Sequence, residues 1–234
     1  MLVYVDLEHE RLQQIDPKLW RCSRVALAQV KERLERLGQR PCLTLPYHAI
    51  TPERLESEGV EAVFVSGCTL SYDYYTEESL AGLRRVYREW ERPLLGICAG
   101  MQLMAQAHGA TIGPLAAIPP DVANLHLATT QNINGMAQEI GFQSVTITQA
   151  HPLFATLEEC ATFYQAHYWE VKEVPPGFEV LAQSGRCPIQ AIAHRERPLF
   201  GVQFHPEKYD EEHRDGRQHL QNFLEIVGMK IERG

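Results

Sequence analysis

Three short runs in the first hundred residues, LVYVD at Leu2–Asp6, EAVFVSG at Glu61–Gly67 and PLLGI at Pro93–Ile97, are apolar without the polar alternation of a strand that faces water. Strands of that kind need cover on both faces. The stretches between them supply it. Lys18–Leu37 sets Leu27, Val30, Leu34 and Leu37 at the three-and-four spacing of an amphipathic helix, with Gly38 as its stop. Pro52–Ser57 reads as a short helix, and Thr76, followed by Glu77 and Glu78, opens another that runs to about Trp90. CLTLPY at Cys42–Tyr47 adds a strand. The alternation predicts an α/β fold of three layers, a mostly parallel central sheet with helices on both faces.

Beyond Gly109 the pattern changes. Thr111–Gly141 carries prolines, glycine and polar runs with little period, and is predicted as loops. Short strands follow in QSVTIT, ATFYQAH, FEVLAQ, IQAIAH and LFGVQF, separated by turn signals such as Pro175–Gly177, and Arg217–Val227 closes as a helix. No flexible linker and no internal repeat divides the 234 residues, so a single domain, 1–234, is expected. At 44% hydrophobic and 22% charged residues, the chain suits a soluble globular protein. A net charge of −8 offers no basic patch to a phosphate backbone, which argues against nucleic acid as a partner. No apolar stretch approaches the roughly 20 residues needed to span a bilayer, and the acidic start MLVYVDLEHE is unlike a signal peptide. A cytoplasmic protein without a membrane partner is expected.

The six cysteines, Cys22, Cys42, Cys68, Cys98, Cys160 and Cys187, form no CxxC pair, which argues against a disulfide framework and a cysteine zinc site. Cys98 stands apart. Gly96 and Gly100 flank it at two residues on either side, where PLLGI ends and a helical run begins. This is the GxCxG form of a nucleophile elbow: a tight turn that lifts the sulfur above the sheet edge and leaves no room for side chains two positions away. The helix terminus is expected to lower the thiol pKa toward neutrality, and the Ala99 N–H to donate to an oxyanion. The plainer alternative is close packing of glycines around a small cysteine. LFGVQFHPE at Leu199–Glu207 favours the first reading, because its alternating strand ends in His205 and Glu207 on either side of a stiffening Pro206. A thiol nucleophile needs a base, and the base needs an acid to fix its tautomer.

GICAGMQLMA taken with GVQFHPE resembles the class I glutamine amidotransferases. The early strand–helix repeats, the glycine turn after Val65, HPLF at His151–Phe154, QAHYW at Gln165–Trp169 and the terminal DGRQHLQNFL extend the resemblance over nearly the whole chain. It implies the flavodoxin-like fold of that family with short C-terminal strands, and glutamine as substrate. It also implies Cys98 as nucleophile, His205 as general base and acid, and Glu207 as the residue that orients it. Gln102, one helical turn beyond Cys98, would help hold the glutamine. SGCT at Ser66–Thr69 takes the place of the oxyanion turn, with Gly67 and Cys68 opposite Ala99, although the family's usual second glycine is here Cys68. The positions after His167 resemble those whose backbone grips the amino-acid end of glutamine, and Tyr168 and Trp169 would wall the pocket.

No cofactor is expected, and His108, His126, His151 and His194 fit no metal spacing, so no metal site is expected either. The chain also lacks a P-loop. A separate synthase subunit is therefore the candidate partner for the released ammonia. A stand-alone hydrolase of γ-glutamyl amides or peptides stays open as an alternative, as does a catalytically weak regulatory or binding module. Cys68 either faces Cys98, where oxidant would join the two thiols, or points into the core.

Overall fold

In the computed structural model, which describes residues 1–116 and 137–229, the early apolar runs become neighbouring strands. β1 (Leu2–Asp6) pairs in parallel with β2 (Cys42–Pro46) on one side and with β3 (Ala62–Val65) on the other, and β4 (Leu94–Ile97) runs parallel to β3. Alternate residues point to opposite faces. Val3, Val5, Val63 and Val65 therefore join one buried cluster, and Leu2, Tyr4, Ala62 and Phe64 the other.

Helices close both faces. They are α1 (Leu12–Ile15), α2 (Pro17–Gly38), α3 (Pro52–Ser57), α4 (Glu77–Glu89), α5 (Ala99–Ala107) and α6 (Asp215–Ile226). Leu55 of α3, Leu83 and Val86 of α4 and Met101 and Met104 of α5 enter the first cluster. Val30 and Leu34 of α2 and Leu220, Phe223 and Leu224 of α6 enter the second. Burying one such leucine or phenylalanine contributes about 2 kcal/mol. The three layers predicted from the apolar strands are those observed.

The remaining strands of the main sheet are β6 (Glu139–Ile147), β7 (Cys160–His167), β9 (Phe178–Gln183), β10 (Ala191–His194) and β11 (Leu199–Val202). A separate antiparallel pair joins β5 (Ile112–Pro114) to β8 (Trp169–Val171). The main sheet has nine strands in the order β2-β1-β3-β4-β11-β10-β9-β6-β7. β11 lies parallel to β4 and antiparallel to β10, so it is the seam between a parallel block and an antiparallel extension. Among the described residues no helix is long and apolar enough to cross a membrane.

Helix starts follow the capping residues. Asp16 accepts hydrogen bonds from the N–H groups of Lys18 and Leu19 with Pro17 at the first helical position, and Thr76 accepts from the Ser79 N–H at 3.1 Å. The end of α2 differs from expectation. Gly38 is its last residue, and Gln39 takes the left-handed conformation, φ 48°, that stops the helix. Gly38 serves close packing instead, since a Cβ there would meet Leu2 Cδ1 at 3.0 Å. Within Thr111–Gly141, expected as loops, Ile112–Pro114 is β5 and Glu139–Gly141 begins β6; residues 117–136 lie outside the described ones. β5 pairs with β8, remote in sequence, and β6 with the next strand, β7, and strand pairing of either kind is not registered by local periodicity.

Candidate active site

Strand β4 gives way to helix α5 at Cys98, whose backbone angles are φ 52° and ψ −111°. A non-glycine residue resists that conformation, and the surroundings hold it there. A Cβ on Gly96 would lie 2.7 Å from the Gly100 carbonyl carbon, and one on Gly100 would lie 2.4 Å from the Val65 carbonyl oxygen. The two glycines are thus required by backbone contact, as the elbow reading predicted. Gly96 is in register with Gly201 of β11, and the Cys98 N–H donates to the Val202 carbonyl at 2.8 Å. The chain leaving β11 therefore arrives beside the elbow.

His205 is fixed there by its N–H, which donates to the Tyr164 carbonyl at 2.8 Å, and its Nδ1 lies 2.6 Å from Glu207 Oε1 across Pro206. A carboxylate can only accept, so Nδ1 carries the proton and Nε2 is left as the basic nitrogen. Gly67 ties the parts together. A Cβ built on it would be 3.1 Å from His205 Cε1 and 3.6 Å from Cys98 Sγ, so ring and sulfur both border that one point. From α2, Arg33 donates to the carbonyl oxygens of Glu207 and Tyr209 and clamps the turn that carries the acid.

Burial sets the electrostatics. It pushes the Cys98 thiol up to about 11, against the opposing pull of Lys208 and of the Ala99 N–H. The expectation that the helix terminus lowers this thiol toward neutrality is corrected: desolvation outweighs it. Burial likewise moves His205 below its ordinary value, opposed by Glu207. Burial would raise Glu207, but the adjacent His205 holds its carboxyl below the usual range. At neutral pH the resting site is a neutral thiol, a neutral imidazole and a carboxylate.

The turn at Ser66–Thr69 is anchored at both ends. The Ser66 hydroxyl accepts from the Leu7 N–H at 2.9 Å and donates to the Gly67 carbonyl at 2.8 Å. In a trans peptide the next N–H, that of Cys68, points away from that hydroxyl. Glu8 accepts from both the N–H and the hydroxyl of Thr69, at 3.1 and 2.6 Å. The Cys68 sulfur faces the Leu70 carbonyl at 3.5 Å, and burial raises its thiol to about 12. Cys68 packs against the first buried cluster.

Gln102 has the position expected, its N–H bonded to the Cys98 carbonyl at 3.1 Å, but its side chain is engaged within the protein. Nε2 donates to the Trp169 carbonyl and to Gln203 Oε1, each at 2.8 Å, and Oε1 accepts from the Tyr72 hydroxyl at 2.6 Å. His167 is also committed. Its Nδ1 lies 3.0 Å from the Trp169 carbonyl and its Nε2 2.9 Å from Glu139 Oε2, and the residue lines the small cavity beside Cys98. The Tyr168 carbonyl takes the Leu115 N–H at 2.9 Å. Tyr168 and Trp169 do wall a pocket: with Tyr72, Cys68 and Cys98 they line a small cavity of about 40 Å³. A larger one, about 630 Å³, opens on the other side, where His205, Glu207 and Gly67 meet Leu19, Arg24 and Arg33.

Among the other histidines, His108 Nδ1 bonds the Met104 carbonyl, His151 caps the Leu153 N–H and His194 accepts from Glu196 and Arg197 N–H groups. His126 lies outside the described residues. Sequence reasoning did not find Gln203, Tyr72, Glu139, Glu8 or Arg33. For Gln203 a signal existed: a glutamine between Val202 and Phe204, at an inward position of an otherwise apolar strand end, is polar where burial is complete.

The family model for class-I glutamine amidotransferases matches residues 27–227. One subunit of the glutamine-hydrolysing GMP synthase of Pyrococcus abyssi is 33% identical over 181 residues, covering 76% of this chain and 85% of that one. Its counterpart in Thermococcus kodakarensis is 31% identical over 181 residues, with coverage of 76% and 85%. Among solved structures, a glutamine amidotransferase of Thermotoga maritima superposes with a TM-score of 0.61 at 16% identity, covering 97% of each chain. A protein of Thermoplasma acidophilum superposes with a TM-score of 0.72 at 23% identity, covering 97% of this chain and 94% of that one.

Proposed function

The chain belongs to the class-I glutamine amidotransferase family and is a glutamine-hydrolysing amidotransferase, and from that premise we propose that Cys98, His205 and Glu207 form its catalytic triad and that the ammonia passes to a separate synthase subunit. The observation that carries the triad is the convergence, at the shared end of β4 and β11, of a cysteine at φ 52° with a histidine 2.6 Å from a buried carboxylate. His205 Nε2 takes the Cys98 proton as sulfur attacks the amide carbon of glutamine, so the neutral thiol need not ionise beforehand. The oxyanion is met by the Ala99 N–H and by the turn at Gly67 and Cys68. His205 returns the proton to the leaving nitrogen, and ammonia departs. Water, deprotonated by the same nitrogen, then cleaves the thioester to glutamate.

The partner follows from chemistry and kinship. The relatives in Pyrococcus abyssi and Thermococcus kodakarensis are each named as one subunit of a glutamine-hydrolysing synthase, which supports a partner on a second chain. Replacing Cys98 by Ala should lower ammonia release from glutamine by about a thousandfold or more while leaving the fold intact. Near-normal activity in the purified variant overturns the triad. Mixing the protein with the proteins encoded next to it, and following both complex formation and ammonia release, tests the partner.

The larger cavity supports a second reading. At about 630 Å³ on the His205 side it exceeds what ammonia needs as a leaving group, so it would admit a γ-glutamyl amine. Faster hydrolysis of γ-glutamyl amines than of glutamine, with no response to a synthase, would select the stand-alone hydrolase.

A further inference from the structure

Gln203 lies within reach of the reacting sulfur, its Nε2 3.6 Å from Cys98 Sγ, and it is completely buried. An amide can present either its nitrogen or its oxygen to a sulfur. Here the neighbours decide it. The Trp169 carbonyl can only accept, so the atom of Gln102 that lies 2.8 Å from it is nitrogen. That nitrogen's other proton points to Gln203 at 2.8 Å, so the Gln203 atom receiving it is oxygen. The Gln203 amide nitrogen is left to face Cys98. The Tyr72 hydroxyl, donating to Gln102 Oε1 at 2.6 Å, and His167, at 3.0 Å from the same Trp169 carbonyl, secure the start of the chain.

We propose that Gln203 is a catalytic hydrogen-bond donor to the Cys98 sulfur, and that Tyr72 and Gln102 are positioning residues that hold its amide nitrogen toward that atom. The proposal rests on Cys98 being the nucleophile. As His205 removes the thiol proton, negative charge develops on a sulfur that has been stripped of water. The Ala99 N–H faces it from the helix start, and Gln203 faces it from the strand side. A donor preset there needs no reorganisation when the charge appears. Burial, which disfavours the thiolate, makes such a donor more valuable than it would be in water.

The relay also accounts for a polar chain in an apolar setting. Gln102 is 2% exposed and Gln203 fully buried, and each amide has its groups used: Gln102 by Tyr72, Trp169 and Gln203, Gln203 by Gln102 and Cys98. A glutamine serving only to fill space would leave its amide unmatched, and desolvation disfavours that.

The test reads the thiol directly. Gln203→Met keeps length and volume and removes the donor. Gln102→Met leaves Gln203 in place but frees its amide to turn. In folded protein, the rate of Cys98 alkylation by iodoacetamide between pH 7 and 9 should fall about tenfold in Gln203→Met and by a smaller factor in Gln102→Met. The exposed Cys22 and Cys160 serve as internal standards in the same peptide map. A merely structural role would act in the opposite direction, because a loosened site exposes a buried thiol and speeds its alkylation. An unchanged or faster Cys98 rate in Gln203→Met overturns the proposal; if that variant does not fold, an unchanged or faster rate in Gln102→Met does so. Glutaminase activity of Cys98→Ala is a separate assay, so failure of the triad and failure of the donor are distinguishable.

Discussion

Arg33, toward the C-terminal end of α2, donates to the main-chain carbonyl of Glu207, the residue whose side chain holds His205. The guanidinium also reaches the Tyr209 carbonyl at 3.0 Å and lies 4.4 Å from the Tyr209 ring centroid. A surface helix thereby sets the position of the acid. Arg33→Met, which keeps most of the stem, should lower kcat roughly ten- to a hundredfold with little change in KM, since misplacing a catalytic group by about 1 Å has effects of that size. Steady-state glutaminase kinetics check it; a changed KM at constant kcat would place Arg33 in substrate binding instead.

The acid limb of the kcat/KM profile reports His205, which must be neutral to accept the thiol proton. Burial lowers its pKa from 6.5, so activity should persist below that pH and be lost only as the ring protonates at lower pH. Glu207→Gln removes the carboxylate that opposes this depression. The limb should shift further toward acid, and kcat should fall by about a thousandfold or more while a remnant survives; His205→Ala should be nearly as damaging as Cys98→Ala. An unmoved limb in Glu207→Gln would take Glu207 out of contact with the base.

Two glycine substitutions should fail in different ways. At Gly67 a methyl group meets side-chain atoms, His205 Cε1 at 3.1 Å and Cys98 Cβ at 3.3 Å. Gly67→Ala should fold and lose most of its activity. At Gly100 the obstacle is backbone, the Val65 carbonyl oxygen at 2.4 Å. Gly100→Ala should lose stability, by about 1–3 kcal/mol or more, through overpacking. Thermal melts beside activity assays separate the two, and equal melting temperatures would contradict the packing argument.

His219, on α6, is fully buried among Phe154, Phe163 and Phe204, and neither ring nitrogen has a hydrogen-bond partner among the described residues. Burial depresses its pKa from 6.5 to about 3. The unfolded chain binds a proton there at a pH where the folded chain does not. Stability is therefore full above pH 6.5 and is lost as pH falls toward 3. His219→Leu should raise stability by about 1–3 kcal/mol at neutral pH and flatten the acid slope between those limits. Urea titrations at neutral and acid pH measure both effects, and a destabilised variant would mean that the ring has a partner such as a buried water.

The layers and the elbow were legible because their causes are local. Apolar runs such as Ala62–Val65 call for cover on both faces, and the spacing of Gly96 and Gly100 about Cys98 is itself a short sequence pattern, even though the contact that requires Gly100 comes from Val65 on the neighbouring strand. What escaped depends on distant partners. β5 acquires strand character only by meeting β8, and the hydrogen bonds of the Gln102 side chain run to Tyr72, Trp169 and Gln203, all remote from it in the chain. The Cys98 thiol misled for a related reason. A motif shows the helix terminus behind the sulfur, whereas the desolvation that outweighs it is the work of the whole assembled fold.

The seam strand β11 has a consequence for the timing of assembly. Cys98 lies on the parallel side, while His205 and Glu207 leave the far end of a strand that must slot between β4 and β10. A nascent chain that has emerged only as far as β10 carries the sulfur but neither base nor acid. Pairing of β11 with β4 spans about a hundred residues, the kind of non-local contact that slows folding. The sulfur and its base are therefore not brought side by side until that pairing is made, whatever the order in which the rest of the sheet forms.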